Sequence, residues 1–216
     1  MRRLALLFVV TLGACTTSAF AATLNVASWH LWTGSQTLTK SSCTLTGSTV
    51  TTDTYADEAH AGDNSAATTM KVKVGTGAQM WTFVHFDLSS CSIPATGGAD
   101  TATLSLRITN APATDQTLTV TPVLSTWNGA SLANFSAAAG LTYGSTTTTF
   151  TTGATNNVTK SFQVTIDVDA LIKSSTANYG WCITDAGSGT TATTTIGSAN
   201  NPTVGNRPQL VINYES

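Results

Sequence analysis

Four of the chain's eleven acidic residues, Asp53, Asp57, Glu58 and Asp63, fall within the stretch "DTYADEAHAGDN" of a protein only 9% charged. With Asn64 they place five oxygen-bearing side chains around a turn at Gly62. Calcium takes roughly six to eight hard oxygens from carboxylates, amides and backbone carbonyls. A divalent ion would also relieve a repulsion that only the weak base His60 opposes nearby. The stretch therefore predicts one structural Ca2+, held first by Asp57 and Asp63, with Asn64, Asp53 and Glu58 as further oxygen donors. The alternative is a solvated, charged loop, since the spacing is not that of an EF-hand.

A second chemistry sits in "MWTFVHFDL". Alternation along a strand puts Trp81, Phe83 and His85 in a row on one face and Val84, Phe86 and Leu88 on the other. Sugar rings stack their C–H faces on aromatic planes while polar neighbours take the hydroxyls, so this row, with Lys71 and Lys73 of "MKVKV" beside it, is the candidate glycan-binding face. The alternative is a row covered by loops or by an N-terminal arm. Trp127 and Trp181 read as core. Neither serine nor cysteine stands in a nucleophile context near His30, His60 or His85. "TGAQ" and "GSGTT" lack the strand, loop, lysine and helix frame of a phosphate site. The reading is of a protein without catalytic function.

The elements that must position these groups follow from composition. Threonine supplies about a fifth of the 216 residues, and β-branching favours strands. "MRRLALLFVVTLGACTTSAFA" has the grammar of an export signal over residues 1–21. Leu12-Gly13-Ala14-Cys15 also fits a lipoprotein box, and a lipidated Cys15 would tie the chain to a membrane that it does not otherwise touch. Without Arg2 and Arg3, seven basic residues face eleven acidic ones, which argues against nucleic acid as a partner. Secretion or display at the cell surface makes a disulfide the natural use of cysteine. Cys43 and Cys91 sit beside Ser-rich turns and are expected to pair, while Cys182 in "YGWCITD" reads as a buried strand residue.

After a Thr/Ser-rich arm over residues 22–50, alternating segments recur between Gly, Pro and Asn clusters. They are "MKVKV", "MWTFVHFDL", "TATLSLRIT", "TLTVTPVL", "SFQVTIDV", "NYGWCITDA" and "PQLVINY". "TLTVTPVL" is expected to bury Leu118, Val120 and Leu124, and "SFQVTIDV" to run as a strand through Phe162, Val164, Ile166 and Val168. "DALIKSS" would add one helical turn. The fold expected is an all-β, jelly-roll-like antiparallel sandwich over residues 51–216.

In this order, "DTYADEAHAGDNSAATTMKVKVG", "FVHFDLSS", "ATLSLRIT", the isolated Trp127, "NYGWCIT" and "RPQLVINY" resemble the DNRLRE-type domain, a secreted β-sandwich family grouped with carbohydrate-binding modules. The resemblance implies a jelly-roll-like sandwich without catalytic activity, with some relatives binding acidic polysaccharides such as alginate. The chain departs from that family's pattern where His85 replaces a basic residue and Ser198-Ala199-Asn200 replaces Ser-Arg-Glu. Uronate recognition rests on Arg and Lys meeting carboxylates, so these departures point towards a neutral or weakly charged glycan.

Two functional classes stay open at this stage. One is a non-catalytic extracellular module that binds polysaccharide. The other is a structural subunit of a matrix, filament or surface layer, self-associating through the N-terminal arm by adding a strand to a neighbour's sheet edge.

Overall fold

The computed structural model describes residues 39–215, except 48, 49, 95, 174, 175 and 188–191 and the side chains of residues 50 and 51. The expected signal peptide, Cys15 and the expected arm up to residue 38 lie outside the described residues. Two antiparallel sheets face each other, the all-β sandwich that the alternating segments call for. In the six-stranded sheet the spine is β5 (Ala99–Asn110). One edge of β5 pairs with β11 (Gln209–Glu215), and beyond it with β1 (Lys40–Thr46). Further along the same edge β5 pairs with β10 (Thr194–Gly197), itself paired with β3 (Thr69–Val72). Its opposite edge takes β8 (Val158–Gln163).

The five-stranded sheet runs β2 (Val50–Asp57), β4 (Met80–Phe86), β9 (Trp181–Asp185), β6 (Thr117–Pro122) and β7 (Thr148–Thr151). Residues 40–46, at the end of the expected arm, are therefore a strand of the sandwich. Their Cys43 is joined to Cys91, with Cα atoms 5.8 Å apart, and Cys182 is a free, buried thiol.

Between the sheets the alternation works as the sequence requires. Ala102, Leu104, Leu106 and Ile108 of β5, Met70 and Val72 of β3, and Leu210 and Ile212 of β11 meet Val84, Phe86, Leu118, Val120 and Trp181 in one core. Each large side chain buried there stabilises by about 1.5–3 kcal/mol against exposure. The outer face of the five-stranded sheet carries a second core. Ala56, Phe83 and Cys182 are roofed by Val123, Leu132 and Ala138 from the segment that follows β6. That segment contains α1 (Phe135–Ala139).

Two expectations fail for the same kind of reason. "SFQVTIDV" leaves the sheet at Gln163 and winds into α2 (Thr165–Ile172). Val164 and Val168, four residues apart, are both buried, with Val168 N–H donating to Val164 O at 3.0 Å. Ile166 is left 75% exposed. Likewise β6 ends at Pro122, so Val123 turns inward and Leu124 stands 44% exposed. No helix among the described residues is long and apolar enough to cross a membrane.

Candidate functional site

The row Trp81, Phe83, His85 forms on the outer face of β4, and the roof described above decides what each can do. Phe83 is fully buried, 5.5 Å from the Trp127 ring at a tilt of 55°, so it has no face to offer a ligand. Trp81 is half-buried, edge-on to Phe135 at 4.8 Å and to Tyr143 at 6.2 Å. Lys71 holds its ammonium 5.4 Å from the centre of the Tyr55 ring, and β3 belongs to the other sheet. Lys73 is bridged through its backbone to Met80. A flat stacking row of Trp81 and Phe83 flanked by two lysines is thus not what the fold presents, because the weakly apolar segment after β6 packs down on it.

What remains open is one end of the row. His85, Thr52, Thr126, Trp127, Asn178 and Tyr179 line a cavity of about 250 Å³. Its walls are fixed from several directions. Asn128 and Ser131 exchange hydrogen bonds (Asn128 N–H to Ser131 Oγ, 2.9 Å; Ser131 N–H to Asn128 Oδ1, 2.8 Å), winding a short 3-10 turn that plants Leu132 on the sheet. Trp127 donates its indole N–H to Tyr179 O at 2.7 Å. The Tyr179 loop is pinned by Asn178 Nδ2 donating to Phe86 O at 2.8 Å, and by Gly180. Gly180 has φ +72°, and a Cβ there would lie 2.1 Å from Val84 O, so glycine alone allows the loop to lie on β4.

Burial holds the His85 imidazole below its usual range, although Asp87 and a backbone bond with Asn178 pull the other way. A neutral imidazole has one donor and one acceptor, and the backbone bond with Asn178 engages one of them. Trp127 and Tyr179, both half-buried, supply the aromatic wall. In sequence Trp127 read as core and Tyr179 carried no signal beyond its place before a buried strand.

In the acidic stretch each of the expected calcium ligands has hydrogen-bond partners of its own. Asp57 Oδ1 accepts the N–H groups of Ala59 and His60 (2.9 and 3.3 Å), and its other oxygen lies 3.4 Å from His60 Nδ1. Glu58 accepts Gln79 N–H at 3.0 Å, and Asp63 accepts Ser65 N–H at 2.9 Å; the Ser65 side chain first, and then that N–H, hold the Asp63 carboxyl below the usual range. Asn64 donates its amide to Tyr55 O and Gly62 O. Asp57 and Asp63 thus cap their own turns, while Glu58 reaches the strand that begins at Met80 and Asn64 reaches back to β2. Asp53 faces inward on β2, where its carboxylate accepts Ala199 N–H at 2.5 Å and burial raises its pKa to about 6. Among the described residues no three His, Cys, Asp or Glu side chains converge to hold a metal. Asp53 and Asp63 both line a cavity of about 430 Å³ walled also by Thr52, Ser65, Asn128 and Asn200.

Carbohydrate-binding module family 96 has a family model that matches residues 44–214, from within β1 to within β11, and the chain belongs to that family. No curated protein matches the chain.

Proposed function

We propose that this member of carbohydrate-binding module family 96 acts outside the cell, binding polysaccharide without cleaving it in the cleft formed by Trp127, Tyr179 and His85. One observation carries the proposal. The cleft joins two half-buried aromatic rings to a neutral imidazole and to the polar side chains of Thr52, Thr126 and Asn178. Aromatic planes receive the C–H faces of sugar rings, and the polar rim has donors and acceptors for their hydroxyls. Ring and loop are already fixed, so less ordering entropy opposes binding.

Hydrolysis of a glycosidic bond commonly needs two carboxyl groups flanking it. The cleft is lined by none. The export grammar of residues 1–21 and the Cys43–Cys91 bridge both support a role in an oxidising, extracellular compartment. Affinity electrophoresis through gels containing soluble β-glucan, xylan or galactomannan tests the reading. Retardation that Trp127→Ala abolishes supports it, and free migration in every gel refutes it.

A further inference from the structure

The concavity at Trp127 does not stop at Tyr179. Tyr179 also lines a second cavity, of about 240 Å³, together with Leu124, Ile166, Asp167 and Trp181. Ile166 and Asp167 continue into a third, of about 470 Å³, against Val120 and Gln163. In the other direction Thr52 is common to the Trp127 cleft and the cavity of Asp53 and Asp63. Four neighbouring cavities therefore share walls in series, and a fifth adjoins them at Ile166, where its Lys173 ammonium is paired with Asp169 at 2.6 Å. Two of the most exposed large apolar side chains, Ile166 and Leu124, stand beside this run. The far wall is rigid, because Asp167 accepts from Thr146 Oγ1 at 2.6 Å and from Trp181 Nε1 at 2.9 Å, tying α2 to β9 and to the loop before β7.

The charge of the walls is one-sided. Asp53, Asp63 and Asp167 line these four cavities, and no Lys or Arg does among the described residues. A polyuronate or sulfated chain laid there would meet like charge, and the Lys173 ammonium beyond Ile166 is already taken by Asp169. An uncharged chain meets apolar surface in the middle and hydrogen-bonding groups at intervals.

Resting on the glycan-binding reading of the Trp127 cleft, we infer that the ligand is an internal stretch of an extended, uncharged polysaccharide, running from Trp127 past Tyr179 to Ile166. A site that takes only chain ends or short sugars would not need the walls beyond Tyr179.

Calorimetric titration with neutral oligosaccharide ladders from β-glucan, xylan and galactomannan, with the parent polymers and with alginate tests this. Affinity should climb with chain length, and alginate should not bind. Ile166→Asp places an acid in the first turn of α2, where the helix N-terminus favours it, so the fold is kept. It should weaken polymer binding by about tenfold or more, a loss of roughly 1.4 kcal/mol, and leave the shortest bound oligosaccharide unaffected. Equal affinity for short and long chains, an Ile166→Asp protein that binds polymer like the wild type, or alginate binding as tightly as the neutral chains would each overturn the inference while leaving the Trp127 reading intact. A Trp127→Ala protein that binds as the wild type, or no binding to any glycan, would instead overturn that reading and the inference with it.

Discussion

Trp127 donates its indole N–H to the main-chain oxygen of Tyr179 across 2.7 Å, so one hydrogen bond joins the roof of the outer core to the loop that enters β9. The bond fixes the ring plane that forms the cleft wall, and it satisfies a carbonyl that the loop geometry leaves without a strand partner. Cleft shape and local stability are therefore coupled at this residue.

Trp127→Phe keeps an apolar ring over Phe83 but leaves Tyr179 O unpaired, and should cost about 1 kcal/mol. Trp127→Ala also opens a void above Phe83 and should cost about 2–4 kcal/mol. Urea denaturation measures both. Glycan retention should fall in that same order, and equal retention by the two variants would separate the ring from binding.

Gly180→Ala should be far more damaging than its one methyl group suggests. The backbone is left-handed at φ +72°, and the new Cβ would sit 2.1 Å from Val84 O. The loop must lift from β4, at a cost of about 3 kcal/mol or more. A denaturation midpoint within experimental scatter of the wild type would show that the loop is not held as described.

Asp53 gives the fold a pH dependence of definite sign. Burial raises its pKa from 3.8 to about 6, against the opposing pull of the Ala199 N–H. A folded-state pKa above the unfolded one means that this stabilising contribution is complete below 3.8 and is lost as pH rises through about 6. Asp53→Asn stays neutral throughout and can accept the same N–H, so it should be more stable than the wild type at neutral pH by up to ~3 kcal/mol. The difference should close in acid. Denaturation curves collected across that range check it, and a constant offset would contradict the assignment.

Cys43 and Cys91, 48 residues apart, close a loop that ties β1 to the turn after β4. Replacing both with serine should cost about 4 kcal/mol on a chain-entropy basis. Non-reducing peptide mapping should recover that pair alone. Burial pushes the Cys182 thiol up, so iodoacetamide should label it only after unfolding; rapid labelling of the native protein would contradict its place in the outer core.

Strand faces were legible in the sequence because a two-residue period leaves little choice of partner side: Leu104, Leu106 and Ile108, or Val84 and Phe86, can turn only one way. The helix α2 was hidden by an ambiguity of spacing. Phe162, Val164, Ile166 and Val168 satisfy a strand, yet Val164 and Val168 alone satisfy one turn of helix, and the exposure of Ile166 is what distinguishes them. The candidate site was half legible. His85 was visible as the polar end of an aromatic row, but the roof over Phe83 is built from scattered residues, Val123, Leu132 and Ala138, with no period to announce it. The acids of residues 53–64 suggested an ion because sequence brings them close. In the fold each of these carboxylates accepts a backbone N–H of its own, Asp57 and Asp63 within their turns, Glu58 from Gln79 and Asp53 from Ala199, and that assignment of partners has no signature in the spacing.

The most direct test of the account is to map the ligand on the protein. An amide and indole NMR titration with a neutral oligosaccharide that binds should shift the Trp127 indole resonance together with the amides around Thr52, His85, Asn178 and Tyr179, and leave the outer face of the six-stranded sheet, at Ser105, Arg107 and Ser161, unmoved. Shifts confined to that opposite face, with the Trp127 indole unchanged at saturation, would contradict it.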